Sequence, residues 1–236
     1  MIRPSTTVGI LIQRASNPGG TTISLNGPLV FAPETLWNTE LFARSDLLSS
    51  TLQISMNLFK TQFRDAQRAI PRLFRLPSGG VVTFADIVNV PRARSSGLEA
   101  SADWKVRPNL ALHLSAAYLA TRLFPQPGQP LQRDFQRAPR WSAQAGAEWR
   151  PAPRLTISAQ ARARAAYFSD DFNSPALRVG GGWIVDARGE WDSGSVQIFA
   201  YARNLTNRFL LTTYITPELA TAENPREAGV GAGLSF

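Results

Sequence analysis

Two kinds of side chain in this chain could take part in catalysis or ligand binding: a single histidine and a large set of arginines. His113 is the only histidine and there are no cysteines, so neither a multi-histidine nor a thiolate metal site is available. A catalytic triad would have to use His113, which lies between two leucines. The sequence therefore predicts no metal site, no cofactor and no catalytic residue, and it favours a protein that is not an enzyme.

Arginine carries most of the net charge of +8, since Lys60 and Lys105 are the only lysines. A guanidinium group binds phosphates and carboxylates through a planar fork of donors. Four arginines between positions 64 and 75 are therefore the candidate contacts for an anionic ligand: Arg64, Arg68, Arg72 and Arg75. Solvated loop cations are the plainer alternative. The arginines follow no basic helix and no nucleic-acid motif, so no nucleic-acid partner is expected.

Other charged residues alternate with apolar ones. In the segments 98–104, 110–120, 141–149, 155–167, 183–191 and 230–236, one register is apolar except for Gly189. The interleaved register carries Glu148, Arg162, Arg164, Asp186, Arg188 and Glu190. Alternation with a period of two is typical of strands. An uncharged face opposite a charged face predicts a barrel wall between lipid and water, with the ions forming a cross-strand ladder.

Tryptophans mark the two ends of the apolar register. Trp141 and Trp149 are eight residues apart, as are Trp183 and Trp191. Each pair therefore spans about 20 Å along the normal of a membrane crossed by tilted strands. The alternative is that these tryptophans fill the core of a β-sandwich.

Ten strand-like segments are predicted, near 7–14, 37–45, 51–66, 90–105, 110–122, 139–150, 154–168, 183–192, 194–209 and 226–236. Tight turns at Asp46–Ser50, Arg107–Asn109, Pro151–Pro153 and Asp192–Gly194 alternate with long connections at 15–36, 67–89, 123–138, 169–182 and 210–225. No apolar run approaches the roughly 18 residues of a membrane-spanning helix. The lipid-facing register stays open for the first, second and ninth segments.

The fold class predicted from this pattern is all-β: an antiparallel, up-and-down transmembrane β-barrel fragment of about ten strands, forming a curved open sheet. Two alternatives remain. One is a complete small ten-stranded outer-membrane barrel, acting as a pore or as an omptin-like protease; the other is a soluble carbohydrate-binding β-sandwich. His113 follows a short turn, at the end of the barrel opposite to the long loops, which disfavours the protease.

Three segments resemble elements of the TonB-dependent outer-membrane receptors. They are APETLWNTEL at 32–41, ARNLTNR at 202–208, and PRE at 225–227 leading into a final strand that ends on phenylalanine. The residues that match the family's motifs are Pro33, Glu34, Trp37, Asn38, Glu40, Asn204, Leu205, Pro225, Arg226 and Glu227. Their order along the chain places the resemblance in the last strands of such a barrel.

The resemblance implies that residues 1–236 are the carboxyl-terminal part of the receptor barrel, with the plug domain and the signal peptide absent. It implies an outer-membrane receptor and transporter of a Gram-negative bacterium, energised by TonB, that takes up a ferric siderophore or a similar nutrient.

The partners that the resemblance implies are outer-membrane lipid, lipopolysaccharide, the siderophore-like ligand and, through the missing plug only, the TonB complex. The barrel-assembly machinery would read the last strand through Val230, Ala232, Leu234 and Phe236. Arginines 64–75 would meet the ligand or lipopolysaccharide, and the ions of the charged register would contact the plug.

Overall fold

Strands make up nearly all of the secondary structure in the computed structural model, which describes residues 5–24, 27–124 and 133–234. In chain order they are β1 (Ser5–Asn17), β2 (Gly20–Ser24), β3 (Gly27–Phe31), β4 (Glu34–Leu47), β5 (Leu52–Arg75), β6 (Val81–Arg107), β7 (Leu110–Phe124), β8 (Trp141–Ala152), β9 (Leu155–Arg164), β10 (Tyr167–Phe168), β11 (Arg178–Val179), β12 (Gly182–Asp192), β13 (Val196–Arg203), β14 (Leu211–Thr216), β15 (Leu219–Ala222) and β16 (Glu227–Leu234). One 3₁₀ turn covers Pro175–Leu177. Within these residues, no helix has the length and hydropathy needed to cross a membrane.

Ten of the strands form one antiparallel sheet in the order β1-β4-β5-β6-β7-β8-β9-β12-β13-β16. Each strand lies beside the next one along the chain, apart from small two-stranded hairpins in the long connections. Among the described residues β1 pairs only with β4, and β16 only with β13, so the sheet is open. The predicted all-β fold of ten antiparallel strands is confirmed.

The connections alternate between two ends of the sheet, as predicted. The turn end carries the short turns at 48–51, 108–109, 153–154 and 193–195. Residues Leu48 to Ser50, Arg154 and Gly194 reverse the chain there with positive φ angles. The opposite end, called the loop end below, carries the longer connections and their small hairpins.

The longest predicted loop, 67–89, is wrong. Strands β5 and β6 continue as a paired hairpin up to Arg75 opposite Val81. Pro71 and Pro91 interrupt the sequence pattern because proline has no N–H to donate, yet the register is unchanged on both sides of them. The predicted loop at 15–36 likewise contains the hairpin β2–β3. In the other direction, β13 stops at Arg203 because Asn204 adopts a φ of 46°.

The two faces of the main sheet differ in chemistry. The apolar face, defined by the four tryptophans of β8 and β12, stays uncovered: Trp141 and Trp149 are each 47% exposed, and Trp183 and Trp191 are each 40% exposed. Only five apolar side chains are buried anywhere in the described residues. Since no second sheet within 5–24, 27–124 and 133–234 packs over the tryptophans, the sandwich alternative is wrong.

The register also shows which residues lie on the apolar face in the strands whose orientation the sequence left open. Ile198 lies directly opposite Trp191, so Val196, Ile198 and Ala200 belong to the apolar face of β13. One row of direct partners runs from β1 to β8 on this face: Ile10, Leu41, Leu58, Leu98, Tyr118 and Trp141. The apolar face is therefore continuous across the sheet.

The opposite side of the sheet is called the charged face. The aromatic rings on it explain why the last strand has glycines there. Gly229 and Gly231 of β16 lie opposite Tyr201 and Phe199. A Cβ on Gly229 would lie 2.8 Å from Tyr201 Cε1, so the rings occupy the space that side chains would fill. The guanidinium group of Arg188 stacks on Phe199, with its Cζ 3.9 Å from the ring centroid.

Candidate functional site: the charged face and the loop cluster

A cavity of about 670 Å³ lies against the charged face. Glu40 and Arg44 of β4, Glu99 of β6, Gln144 of β8 and Arg162 of β9 contribute to its lining. Hydroxyl groups of serines lie between them, because small polar residues alternate with the outward alanines. The surface is therefore one that water and polar solutes wet.

The cross-strand ladder predicted for Glu148, Arg162, Arg164, Asp186, Arg188 and Glu190 is wrong. The register puts Glu148 opposite Ser158, and Asp186 opposite Gln160. Glu148 and Glu190 instead pair along their own strands, Glu148 with Arg150 at 2.7 Å and Glu190 with Arg188 at 2.6 Å. Such exposed pairs contribute little to stability, typically below about 1 kcal/mol.

The connection 204–226 folds over the charged face. Arg162 reaches Glu223 Oε2 at 3.4 Å, and Arg164 Nη2 donates to the carbonyl of Leu211 at 2.7 Å. Tyr167 Oη donates to the carbonyl of Thr212 at 2.6 Å. Arg162 and Arg164 thus hold a long connection against the wall.

His113 lies on the charged face near the turn end, as predicted. Its Nδ1 is 2.6 Å from Asp103 Oδ1 on the neighbouring strand, and both side chains are more than half exposed. No nucleophile adjoins this pair in the contacts of the described residues. The described residues hold no cluster of three or more histidine, cysteine, aspartate or glutamate side chains suited to a metal ion.

The structure describes the side chains of two of the four arginines predicted as ligand contacts, and it places these two apart. Arg64 is exposed on β5, directly opposite Arg92. Arg68 is mostly buried and forms a two-pronged pair with Asp171, from Nε to Oδ2 and from Nη2 to Oδ1, each at 2.7 Å. Arg72 and Arg75 continue β5, but their side chains lie outside the described residues. Arg68 is therefore engaged within the protein, and it does not share one exposed patch with Arg64.

Arg68 belongs to a loop cluster formed by Arg68, Phe135, Gln136 and Asp171. Arg68 stacks on Phe135 with its Cζ 4.6 Å from the ring centroid. The amide N of Gln136 donates to Asp171 Oδ1 at 2.8 Å, and its side-chain amide donates to the carbonyl of Ala69 at 3.3 Å. These contacts join three loop-end segments into a single surface.

Sequence reasoning missed Asp171, Phe135 and Gln136. Asp171 lies 103 positions after Arg68, so no local spacing links them. The one sequence feature that indicates such a contact is the adjacent pair Asp170-Asp171, because a buried carboxylate requires a partner. Asp170 accepts from the amide N and hydroxyl of Ser174 at 3.0 and 2.6 Å, which fixes the turn that presents Asp171.

The first motif, at 32–41, supplies a buried polar row on β4. Glu34 accepts from Asn17 Nδ2 and from the amide N of Gln67, each at 2.8 Å, which joins β1 and β5 across β4. Asn38 donates to Glu40 Oε1 at 2.6 Å and accepts from Thr61 Oγ1 at 2.8 Å. Pro33 precedes the strand, and Trp37 lies on the apolar face with Arg14 6.0 Å from its ring.

The second motif, at 202–208, forms a turn around Asn204. The Asn204 side chain donates to the carbonyls of Arg208 and Asn224 at 2.8 and 3.0 Å and accepts from the amide N of Arg208 at 2.8 Å. Its own amide N donates to Asp186 Oδ1 at 2.8 Å. Leu205 is exposed and donates its amide N to the carbonyl of Val185 at 2.7 Å.

Replacing Asn204 by alanine is expected to destabilise the folded chain by about 2 kcal/mol, because three buried side-chain hydrogen bonds are lost. The measurement is urea unfolding in detergent, followed by tryptophan fluorescence. Asn207→Ala is the matched control, since Asn207 also has a positive φ but offers one bond, from the amide N of Arg226 at 3.0 Å. Equal losses for the two variants would refute the central role of Asn204.

The third motif, at 225–227, leads into β16. Pro225 precedes the strand, the amide N of Arg226 is held by Asn207, and Glu227 accepts from Tyr201 Oη at 2.7 Å. Val230 and Leu234 are highly exposed on the apolar face, and Ala232 lies between them, opposite Ile198. Phe236, the last residue of the predicted assembly signal, lies outside the described residues.

Comparison with known proteins identifies the fold. The family model "TonB dependent receptor-like, beta-barrel" matches residues 3–205. The ferric yersiniabactin uptake receptor FyuA from Yersinia pestis is 18% identical with a TM-score of 0.76, and the alignment covers 98% of this chain and 35% of FyuA. The siderophore receptor PiuA from Acinetobacter baumannii is 18% identical with a TM-score of 0.71, covering 96% of this chain and 33% of PiuA. The copper transporter OprC is 16% identical with a TM-score of 0.73, covering 98% and 38%.

This chain thus spans about a third of the length of the first structures that it matches. The matched family consists of receptors and transporters rather than enzymes, and the family model covers well over half of the chain. The resemblance seen in the sequence is confirmed: this chain belongs to the TonB-dependent receptor-like β-barrel family.

Proposed function

We propose that this chain forms the carboxyl-terminal part of the barrel wall of a TonB-energised receptor in the outer membrane of a Gram-negative bacterium. The observation that carries the proposal is the pair of unlike faces: an apolar face with exposed tryptophans, opposite a wet face lined by ions. In a transmembrane barrel the first faces lipid and the second faces the lumen.

The proposed cargo is a ferric siderophore or a similar scarce nutrient. Structural neighbours named as a siderophore receptor and as a ferric yersiniabactin uptake receptor support this class. A copper transporter with a similar TM-score extends the class to other metal cargo. The charged face has both signs of charge and many hydroxyl groups, which suits the passage of a polar chelate.

In this proposal the loop end faces outward and the short turns face the periplasm, following the usual connection lengths of outer-membrane barrels. The loop cluster fixes the rim through which the cargo enters. The TonB complex acts on a separate plug domain, which contacts the charged face. No catalytic step is involved.

We also propose that the barrel-assembly machinery recognises β16. Its outer edge has no partner strand among the described residues, and Val230 and Leu234 project from the apolar face beside that edge. An unpaired edge with exposed backbone groups is suited to pairing with another strand. Recognition through Phe236 remains a prediction.

Membrane placement is tested by site-specific labelling, for which the absence of native cysteine is convenient. An environment-sensitive fluorophore on Ala161→Cys, on the apolar face, is expected to be quenched by brominated lipid. The same fluorophore on Gln160→Cys, the adjacent residue on the charged face, is expected to be quenched by aqueous iodide instead. Equal access of both quenchers to both sites would overturn the lipid-and-lumen assignment.

Uptake is tested in the native host, in the gene that encodes this chain. Deleting residues 196–234 removes the last two strands of the sheet. We expect this deletion to abolish growth on at least one ferric siderophore from a panel of catecholates, hydroxamates and mixed ligands under iron limitation. The deletion strain could instead grow normally on every ferric siderophore in the panel and show a growth defect that only added copper relieves. That result would replace iron with copper as the cargo.

A further inference from the structure

The last strand, β16, presents an almost bare surface to the charged face. Its residues on that side are Glu227, Gly229, Gly231 and Gly233. Rings of the neighbouring strand β13 fill the space, because Tyr201 lies over Gly229 and Phe199 lies over Gly231. Neither of these two glycines has room for a Cβ atom. On this face β16 is therefore held mainly by glycines that receive rings from its neighbour.

A strand of this composition has a weakly specified register. A shift by two residues leaves every side chain on its own face and keeps the pattern of backbone hydrogen bonds. The apolar side of β16 consists of Ala228, Val230, Ala232 and Leu234. A shift by two residues would exchange one of these apolar side chains for another. Alternation alone therefore does not fix the position of β16 along β13.

The rings permit a shift of β16 by two residues toward the loop end. In the structure Tyr201 pairs with Gly229, and Phe199 pairs with Gly231. After the shift Tyr201 would pair with Gly231, and Phe199 would pair with Gly233. Each ring would again meet a glycine, so the shifted arrangement, called the shifted register below, has no steric barrier at the rings.

A shift in the opposite direction is blocked. It would bring Glu227 under Tyr201, at the position that Gly229 occupies in the structure. A Cβ atom at that position would lie 2.8 Å from the ring. The rings of β13 thus admit one alternative register at this distance and exclude its mirror.

The other edge strand of the sheet does not have this freedom. Gly9 of β1 lies under the ring of Phe42 of β4. The neighbouring residues on the same side of β1 are Thr7 and Leu11. A shift by two residues in either direction would place one of their side chains under the ring. The single glycine therefore fixes the register of β1, whereas the three glycines of β16 do not fix its register.

One group of contacts distinguishes the observed register of β16 from the shifted one. Tyr201 Oη donates to Glu227 Oε1 at 2.7 Å, and Arg203 Nη1 lies 3.6 Å from Glu227 Oε2. The shift would carry Glu227 beyond the end of β13, which stops at Arg203 because Asn204 has a φ of 46°. Both contacts of the carboxylate would then be lost.

We propose that β16 has two accessible registers on β13, two residues apart, and that the hydrogen bond from Tyr201 to Glu227 selects the observed one. The shift changes the register of the outer edge of β16 relative to any strand that pairs with it. This gives the assembly step proposed above a way to align the final seam. The two registers are a property of the sheet itself and do not depend on the cargo.

Disulfide cross-linking of the full chain, folded in detergent micelles, distinguishes the two registers. Ala202→Cys with Ala228→Cys detects the observed register, in which these residues are direct partners. Ala202→Cys with Val230→Cys detects the shifted register. Direct partners lie within the reach of a disulfide, whereas diagonal neighbours lie too far apart. The chain has no native cysteine that would compete.

Tyr201→Phe keeps the ring and removes the hydrogen bond to Glu227. We expect this change to raise the ratio of the shifted to the observed cross-link by about fivefold. Gly229→Ala is expected to raise the same ratio, because its methyl group has no room beside Tyr201 in the observed register. In the shifted register, residue 229 would lie opposite Arg203, beyond the rings.

Gly233→Ala is the matched control within the same strand. A Cβ atom there has room in the observed register, since its nearest neighbour, Gln197 Oε1, would be 3.9 Å away. In the shifted register the methyl group would lie under the ring of Phe199. Adding Gly233→Ala to Tyr201→Phe is therefore expected to return the ratio to that of the parent chain.

Two results would overturn the proposal. An unchanged ratio in Tyr201→Phe, in a chain that circular dichroism shows to be folded, would mean that the hydrogen bond does not select the register. A shifted cross-link that persists in Y201F/G233A would mean that fraying of β16, and not a second register, brings positions 202 and 230 together. Both comparisons stand even if Gly229→Ala prevents folding, and neither depends on the quenching result for membrane placement.

Discussion

Replacing Ala145 by arginine is expected to lower the free energy of unfolding of the bilayer-inserted protein by about 2–4 kcal/mol. Ala145 lies midway between Trp141 and Trp149 on the apolar face, opposite Leu114 and Ala161. A cation there is held at the centre of the hydrocarbon layer, where neither water nor a carboxylate compensates its charge. The measurement is guanidinium-chloride unfolding in phosphatidylcholine vesicles.

Two controls separate charge from size and from strand position. Ser115→Arg places the same side chain on the charged face, opposite Ser101 and Gln144, and is expected to change stability by less than about 0.5 kcal/mol. Ala145→Leu adds apolar volume without charge and is expected to be tolerated, because the side chain of Ala145 is exposed. Equal costs for Ala145→Arg and Ser115→Arg would mean that both faces meet the same solvent.

The architecture was predictable from the sequence because one simple physical rule governs most of it. A strand between lipid and water must alternate, so Trp183 to Trp191 shows its register without any knowledge of its neighbours. The strand 196–203 does not show its register in this way, because Ile198 and Phe199 are adjacent and both apolar. Its assignment needed the facing glycines of β16, which make room for Phe199 on the charged face.

The contacts of the candidate site were less predictable because they depend on register and on distant partners. Alternation identifies which residues share a face, but it does not say which carboxylate meets which arginine. Glu148 and Arg162 share the charged face, yet the register gives Arg162 the side chain of Gln144 as its direct neighbour on β8. The carboxylate that Arg162 reaches, Glu223, comes from a connection that the sequence pattern treats as a loop.

The same limit applies to the arginines between 64 and 75. Their spacing suggested one exposed patch, whereas the structure directs Arg64 to the apolar face and Arg68 into the loop cluster. Asp65 between them has a φ of 53°, which breaks the simple alternation of β5 at this point. Sequence spacing therefore could not show that Arg64 and Arg68 lie on different surfaces.

Replacing Asp171 by alanine is expected to destabilise the loop cluster by about 3 kcal/mol, because it leaves the mostly buried guanidinium group of Arg68 without its anion. Asp171 accepts three hydrogen bonds, two from Arg68 and one from the amide N of Gln136. We expect faster hydrogen exchange of the Gln136 amide and faster proteolysis of 133–140, with the strands of the main sheet still protected.

Two comparisons distinguish the loss of a buried ion pair from a general effect of losing an acid. Asp134→Ala removes a carboxylate whose arginine partner, Arg140, is 65% exposed, and is expected to cost below about 1 kcal/mol. The double variant R68M/D171L replaces both ions with apolar side chains of similar volume and is expected to recover much of the stability. If R68M/D171L is as unstable as D171A, the cost arises from the lost Gln136 hydrogen bond rather than from the unpaired guanidinium group, and the ion pair is not what holds the three loop-end segments together.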